Sequence, residues 1–273
     1  MTDFASLLVA ERKQAAHVIH LVDKDIFAGW AKRRPAEDRA LLEAHRFDGK
    51  TGFASAILPR SGDKFEVVAA VANAAALSPW CLATLAEALP AGTYRLADGD
   101  PGKASLGWLL TQHRLDTFRS EPPKAAGARV LVTSQAAAID LSVRLAEATA
   151  LVRDLVDTPA ATLGPDELEA AVRGEVKKFS CEVRVTAGDA LTIGFPLIAA
   201  VGAAATRERA PRLIEVEWGN PKHPRVAIIG KGVCFDSGGL DLKNAAGMRL
   251  MKKDMGGAAH ALSLFGLIAA ERL

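Results

Sequence analysis

Hydrophobic and polar positions switch between two periods along this chain. The runs HVIHLVD (17–23), GFASAIL (52–58) and FEVVAAVAN (65–73) are rich in apolar and β-branched residues and predict strands. CLATLAEAL (81–89) and KASLGWLLTQHRL (103–115) carry the helical period. SGDK at 61–64, PAG at 90–92 and DGDPGK at 98–103 supply turns between them. A break at SEPPKAAGA (120–128) follows, and then a strand, RVLVT (129–133). On the next segment Leu141, Leu145, Ala148, Val152 and Leu155 recur at helical spacing. DTPA (157–160) ends that helix, because Pro159 disfavours helix at the residue before it. A second helix opens at GPDEL (164–168), with Pro165 suited to its first position and Leu168, Val172, Val176 and Phe179 on its apolar face.

CEVRVTA (181–187), PLIAAVG (196–202), RLIEVEWG (212–219) and RVAIIG (225–230) predict four more strands. The last is apolar throughout its core, as a central strand covered on both faces would be. A closing helix starts at Asp254 and runs through GGAAHALSLFGLIAAERL. The alternation predicts an α/β fold in two parts: a small N-terminal α/β domain over 1–125, then a linker helix and the first part of a second α/β domain over 126–273.

Composition narrows the function classes. With 273 residues, 49% hydrophobic and 24% charged, the chain can bury a sizeable core. A net charge of +2 and an aromatic content of 5% argue against a nucleic-acid or anionic-membrane partner. The longest nearly apolar run, FPLIAAVGAAA (195–205), is too short for a bilayer span of about 20 residues. The start, MTDFASLLVAERKQ, lacks the pattern of a signal peptide. Cys81, Cys181 and Cys234 are far apart and odd in number, which fits a reducing cytoplasm better than a disulfide framework.

Candidate chemistry concentrates in GKGVCFDSGGLDLK (230–243), directly after the apolar run VAIIG. Ligands in α/β sheets bind at the carboxyl ends of strands, where this stretch is expected. Lys231, Asp236, Lys243 and Asp254 are the side chains with chemistry to offer. Two carboxylates from separate loops are a nucleus for a hard divalent cation. A lysine beside them either pairs with the acids or, deprotonated by a neighbouring cation, becomes a ligand itself. Plainer readings stand alongside. Asp254 at a helix start suits an N-cap. Cys234 suits a small buried residue, His260 a helix-face residue, and Met248 and Met251 a core. GKG lacks the spacing and the Ser or Thr of a phosphate loop.

The stretch VAIIGKGVCFDSGGLDLKNAAGMRLMKKDMGGAAHAL (226–262) resembles the leucyl aminopeptidases, the M17 dinuclear metallopeptidases, whose pattern runs strand, GKG, FDSGG, a lysine, then Asp followed by MGGAA. The likeness extends back through DLVDTPAATLGPDEL (154–168), VTAGDAL (185–191) and PRLIEVEWG (211–219). It implies a three-layer α/β/α catalytic domain, here truncated, and release of leucine-like N-terminal residues from peptides. Two divalent ions, manganese or zinc with magnesium a further candidate, would hold the peptide's amino terminus and scissile carbonyl while a bridging water attacks. By resemblance Lys231 is a metal-ligating lysine, Asp236 a carboxylate bridging both metals, and Asp254 a further ligand of the lysine-bearing metal. Lys243 is the catalytic lysine at the scissile carbonyl, and Met251 a wall of the pocket for the first substrate side chain. Asn244 stands where a proline is common in the family. Members form cytoplasmic hexamers.

One part of the pattern is missing. Residues 255–273 contain no counterpart of the family's NTDAEGR-like motif, which supplies a further Asp and Glu to the metals and an Arg. The sequence therefore carries about half the expected ligand set, and the expectation is a fragment with weak metal affinity and little peptidase activity. The alternative is a non-catalytic binding or regulatory relative.

Overall fold

The computed structural model describes residues 2–50, 52–121 and 127–273. They divide into two compact units, 1–147 and 148–273. The first unit runs β1 (Leu8–Ala10), β2 (His17–Val22), α1 (Phe27–Lys32), α2 (Ala36–Ala44), β3 (Ser55–Pro59), β4 (Phe65–Ala70), α3 (Ala83–Ala88), β5 (Gly92–Leu96), α4 (Ser105–Thr111) and β6 (Arg129–Thr133). Its strands form one six-stranded sheet ordered β1-β6-β5-β2-β4-β3, parallel except for the β3–β4 pair.

The register follows from which residues the sheet must bury. Ile19 pairs with Val67 on one side and Leu96 on the other, and Ile19, Val67 and Val68 are wholly buried. Trp108 and Tyr94 fill the core beside them, edge to face with ring centroids 5.6 Å apart. Their polar ends are satisfied: Trp108 Nε1 donates to Arg129 O at 2.8 Å and Tyr94 OH to Pro90 O at 2.7 Å. β6 belongs to this sheet through β1 and β5. The proline-bearing stretch at 120–128, read above as the boundary, therefore precedes the last strand of the N-terminal unit, and its residues 122–126 lie outside the described residues.

α5 (Ile139–Asp157) leads into the second unit, followed by α6 (Pro165–Val176), β7 (Glu182–Ala187), α7 (Gly188–Gly194), α8 (Pro196–Val201), β8 (Arg212–Glu217), α9 (Ala245–Arg249), a 3-10 turn (Met251–Met255) and α10 (Gly256–Glu271). β7 and β8 pair antiparallel. The core gathers Leu155 from α5, Leu168 and Val176 from α6, Met255 from the turn, and Ala259 and Leu262 from α10, with Val183 and Val216 of the two strands packed against it.

Two expected strands are absent. Residues Pro196–Val201 form α8, with Pro196 at the first helical position. Leu197 and Val201, one turn apart, are both exposed. Residues 225–230 are not a strand: no described segment pairs with them in a sheet, and Val226 and Ile229 are exposed. A strand is defined by its partners, so an apolar run alone does not make one.

Candidate metal centre

Close backbone approach builds the site. Ala258 N, in the first turn of α10, donates to Lys231 O at 2.9 Å. The two segments touch because Gly230 and Gly257 face one another's backbone. A Cβ at Gly257 would lie 2.9 Å from Lys231 N, and one at Gly230 would lie 2.6 Å from Ala258 Cα. Lys231 on one segment thereby reaches Asp254 on the other, with Nζ 2.7 Å from Asp254 Oδ2.

The glycine loop folds back in the same way. Gly238 takes a φ of +94° and donates its N–H to Asp236 Oδ1 at 2.8 Å, while Lys243 N donates to Ser237 O at 3.0 Å. This turn brings Lys243 Nζ to 3.3 Å from Asp236 Oδ2. The backbone bond from Gly238, then the Lys243 ammonium, hold the Asp236 carboxyl below the usual carboxylate range, and Lys231 contributes from further off. Contact with Asp254 holds the Lys231 ammonium above its ordinary value, and Asp236 adds to the pull. The four side chains form one electrostatic cluster in which two ammoniums neutralise two carboxylates.

The plainer readings resolve individually. Asp254 does not cap α10: that helix begins at Gly256 after Met255, with no side-chain cap, and Asp254 lies inside the 3-10 turn. Cys234 is half-buried against the core of the second unit, and burial pushes its thiol pKa up, as for an inert thiol. His260 is exposed on α10 with Nδ1 2.7 Å from Gly256 O. Met251 and Met248 are half-buried, and the core methionine here is Met255, fully enclosed. Spacing gave no hint of Lys252, which reaches Asp157.

The donor set suits a hard divalent cation. Asp254 Oδ2 is sealed from solvent, with the Lys231 Nζ 2.7 Å away. A buried carboxylate oxygen in that state is what a cation would satisfy. Asp236 and Asp254 offer oxygens and Lys231 a nitrogen once its proton is lost. Among the described residues, no cluster of three His, Cys, Asp or Glu exists. Asp236, Asp254 and Lys231 are the side chains here that could contribute to the shell of an ion.

Comparison with known proteins identifies the family. Residues 18–131 match the M17 aminopeptidase N-terminal domain, and residues 150–273 match the catalytic domain of the cytosol aminopeptidase family. The chain belongs to the M17 cytosol aminopeptidase family. A probable cytosol aminopeptidase of Rhizobium leguminosarum bv. trifolii is 37% identical over 180 residues, covering 62% of this chain and 36% of the relative. One from Sinorhizobium medicae is 38% identical over 189 residues, covering 63% and 37%. The solved cytosol aminopeptidase of Coxiella burnetii superposes with a TM-score of 0.87 at 34% identity, over 98% of this chain and 58% of that one. A bottromycin maturation enzyme solved in complex with Mn superposes at 0.73 and 26% identity, over 95% and 57%. The matched part of this chain thus covers little more than a third of the length of these curated relatives.

Proposed function

We propose that Lys231, Asp236, Lys243 and Asp254 form the cation- and carbonyl-binding end of an aminopeptidase active site that removes leucine-like residues from the amino termini of peptides. The observation that carries this reading is two lysine–carboxylate contacts, Lys231 with Asp254 between two segments and Lys243 with Asp236 within the glycine loop. Asp236, Asp254 and the Lys231 nitrogen would hold a divalent metal ion, manganese being the first candidate. Such an ion supplies Lewis acidity for the scissile carbonyl and for the water that attacks it. The pair of ions expected from the resemblance needs more donors than these three.

The chain's own residues do the remaining work. Lys243 lies beside Asp236 and would present its side-chain nitrogen to negative charge developing on the carbonyl oxygen. Asp236 orients that nitrogen and is itself held by the Gly238 N–H. Met251 offers an adaptable apolar wall to the first side chain of the peptide. The bound lysine proton is the obstacle to ligation through Lys231, because Asp254 stabilises it. With a divalent ion held at its carboxylate, Asp254 would no longer stabilise that proton.

Mn2+ titration of the purified chain, followed by the electron paramagnetic resonance of free Mn2+, tests the metal end. Asp236→Asn and Asp254→Asn are expected to abolish the binding, and Lys243→Met to leave it. Hydrolysis of leucine p-nitroanilide with Mn2+ tests the carbonyl end. Any turnover should fall about 100-fold or more in Lys243→Met. Mn2+ binding indifferent to both aspartates would sink the reading.

A further inference from the structure

Lys252 lies two residues before Asp254 yet faces away from the cluster. Its Nζ donates to the main-chain carbonyl of Asp157 at 2.6 Å, with Asp157 Oδ1 at 3.3 Å. Asp157 is the last residue of α5, so the acceptor is a carbonyl that the helix leaves without an internal partner, at the negative end of its dipole. We propose that Lys252 is a positioning residue that fixes the turn carrying Met251 and Asp254 onto the end of α5. The inference rests on the metal-site reading of Asp254 above.

The turn needs such a tie. Met251–Met255 is a 3-10 segment of five residues with no side-chain cap, so its own bonds leave its direction weakly fixed. Met255 anchors its far end in the core, and the next residue, Gly256, sits where a Cβ would come within 3.6 Å of Val156 Cγ2 in the last turn of α5. These contacts set where the turn ends but not how the preceding residues swing about that point. Leu250, just before the turn, is exposed and gives no apolar anchor there. Lys252 supplies the restraint from the near side.

The carbonyl, not the Asp157 carboxylate, is the partner that matters. The carboxylate contact is longer and the Asp157 side chain is 63% exposed, the setting in which an ion pair contributes about 0–1 kcal/mol. The carbonyl bond is short, and Lys252 is 34% exposed. Lys252 is thus a helix C-cap delivered from the site turn.

Mn2+ affinity should be measured for the 273-residue chain and its Lys252→Met, Lys252→Arg and Asp157→Asn variants. Amide hydrogen exchange at 250–258 should be followed in parallel without metal. Lys252→Met is expected to weaken Mn2+ about tenfold, as loss of a supporting residue does, and to speed exchange only in the 251–258 segment. Lys252→Arg, which still reaches the carbonyl, and Asp157→Asn, which keeps it, should both stay within about twofold of the parent, well inside that loss. Unchanged affinity and exchange in Lys252→Met would overturn the proposal, as would an equal loss in Lys252→Arg or acceleration spread over the whole unit. If the parent chain binds no Mn2+, the metal reading falls, while the exchange comparison still decides the role of Lys252.

Discussion

Asn244 sits next to the proposed carbonyl-binding lysine with φ −66° and ψ 164°, and its side chain accepts the Gly247 N–H at 2.8 Å to cap α9. Its φ is the one a proline ring imposes, about −65°. A proline, common here in the resembling family, would hold the same backbone by its ring where this chain uses a cap. Asn244→Ala loses the cap, worth about 1 kcal/mol. Asn244→Pro loses the cap too but stiffens the unfolded chain by about 0.4–1 kcal/mol and keeps Lys243 extended. Urea denaturation should therefore rank Asn244→Pro close to the parent and Asn244→Ala below both. The reverse order would show that the cap, rather than the backbone angle, places Lys243. Residue type and spacing singled out these four side chains as candidates in the sequence, and the resemblance gave them roles. They did not show the pairing: Asp254 has two lysines immediately before it in the chain, yet its partner is Lys231, from across the glycine loop. Backbone approach decides that, and spacing carries no record of it.

The elements were legible where their period was long or their caps were strong. α5 and α6 follow the spacing of Leu155, Leu168 and Val176, and Pro165 starts α6 as expected. Short apolar runs are where the reading fails, because six residues cannot separate the two periods. PLIAAV became α8, GTYRL became the unforeseen β5, and RVAIIG stayed unpaired. α1 and α2 were also unforeseen, lying in a charged segment with little periodic apolar content. The glycines that join the 225–230 segment to α10 make the sharper test. Gly230→Ala would drive a methyl into Gly257 O and Ala258 Cα, backbone atoms that cannot rotate away. Such overpacking costs about 1–3 kcal/mol, more than the roughly 0.4–1 kcal/mol gained from a stiffer unfolded chain. At Gly257 the clash is milder, 2.9 Å from Lys231 N, and the helix gains about 1 kcal/mol from alanine. Thermal melts should show Gly230→Ala clearly destabilised and Gly257→Ala near neutral. Mn2+ affinity should fall more in Gly230→Ala. Equal losses at both would mean the segments are not held by this contact.

At the scale of the whole molecule, acid acts on the first unit through one network of charged side chains. His20, Arg34, Arg60, Asp38 and Glu66 form that network over the sheet, with Trp30 5.1 Å beneath the Arg34 guanidinium. Burial alone would raise the Glu66 carboxyl, but hydrogen bonds from Arg60, Arg34 and His20 outweigh it and pull its pKa down to about 2. Asp38, 4% exposed, is lowered for the same reason by Arg60 and Arg34. A carboxylate whose folded pKa lies below its unfolded one stabilises fully above the unfolded value and loses that contribution as pH falls towards the folded one. For Glu66 the window runs from 4.5 down to about 2. Three of the four tryptophans, Trp30, Trp80 and Trp108, lie in this unit, so tryptophan fluorescence follows it preferentially. Urea unfolding by fluorescence should therefore show stability falling steeply across that window. Glu66→Gln should lower stability at neutral pH by about 1–3 kcal/mol, because two guanidiniums lose a charged acceptor, and should flatten the acid slope. If the variant and the parent lose stability in parallel as the pH drops, Glu66 is ordinary in the folded chain, and the arginines are serving Asp38 alone.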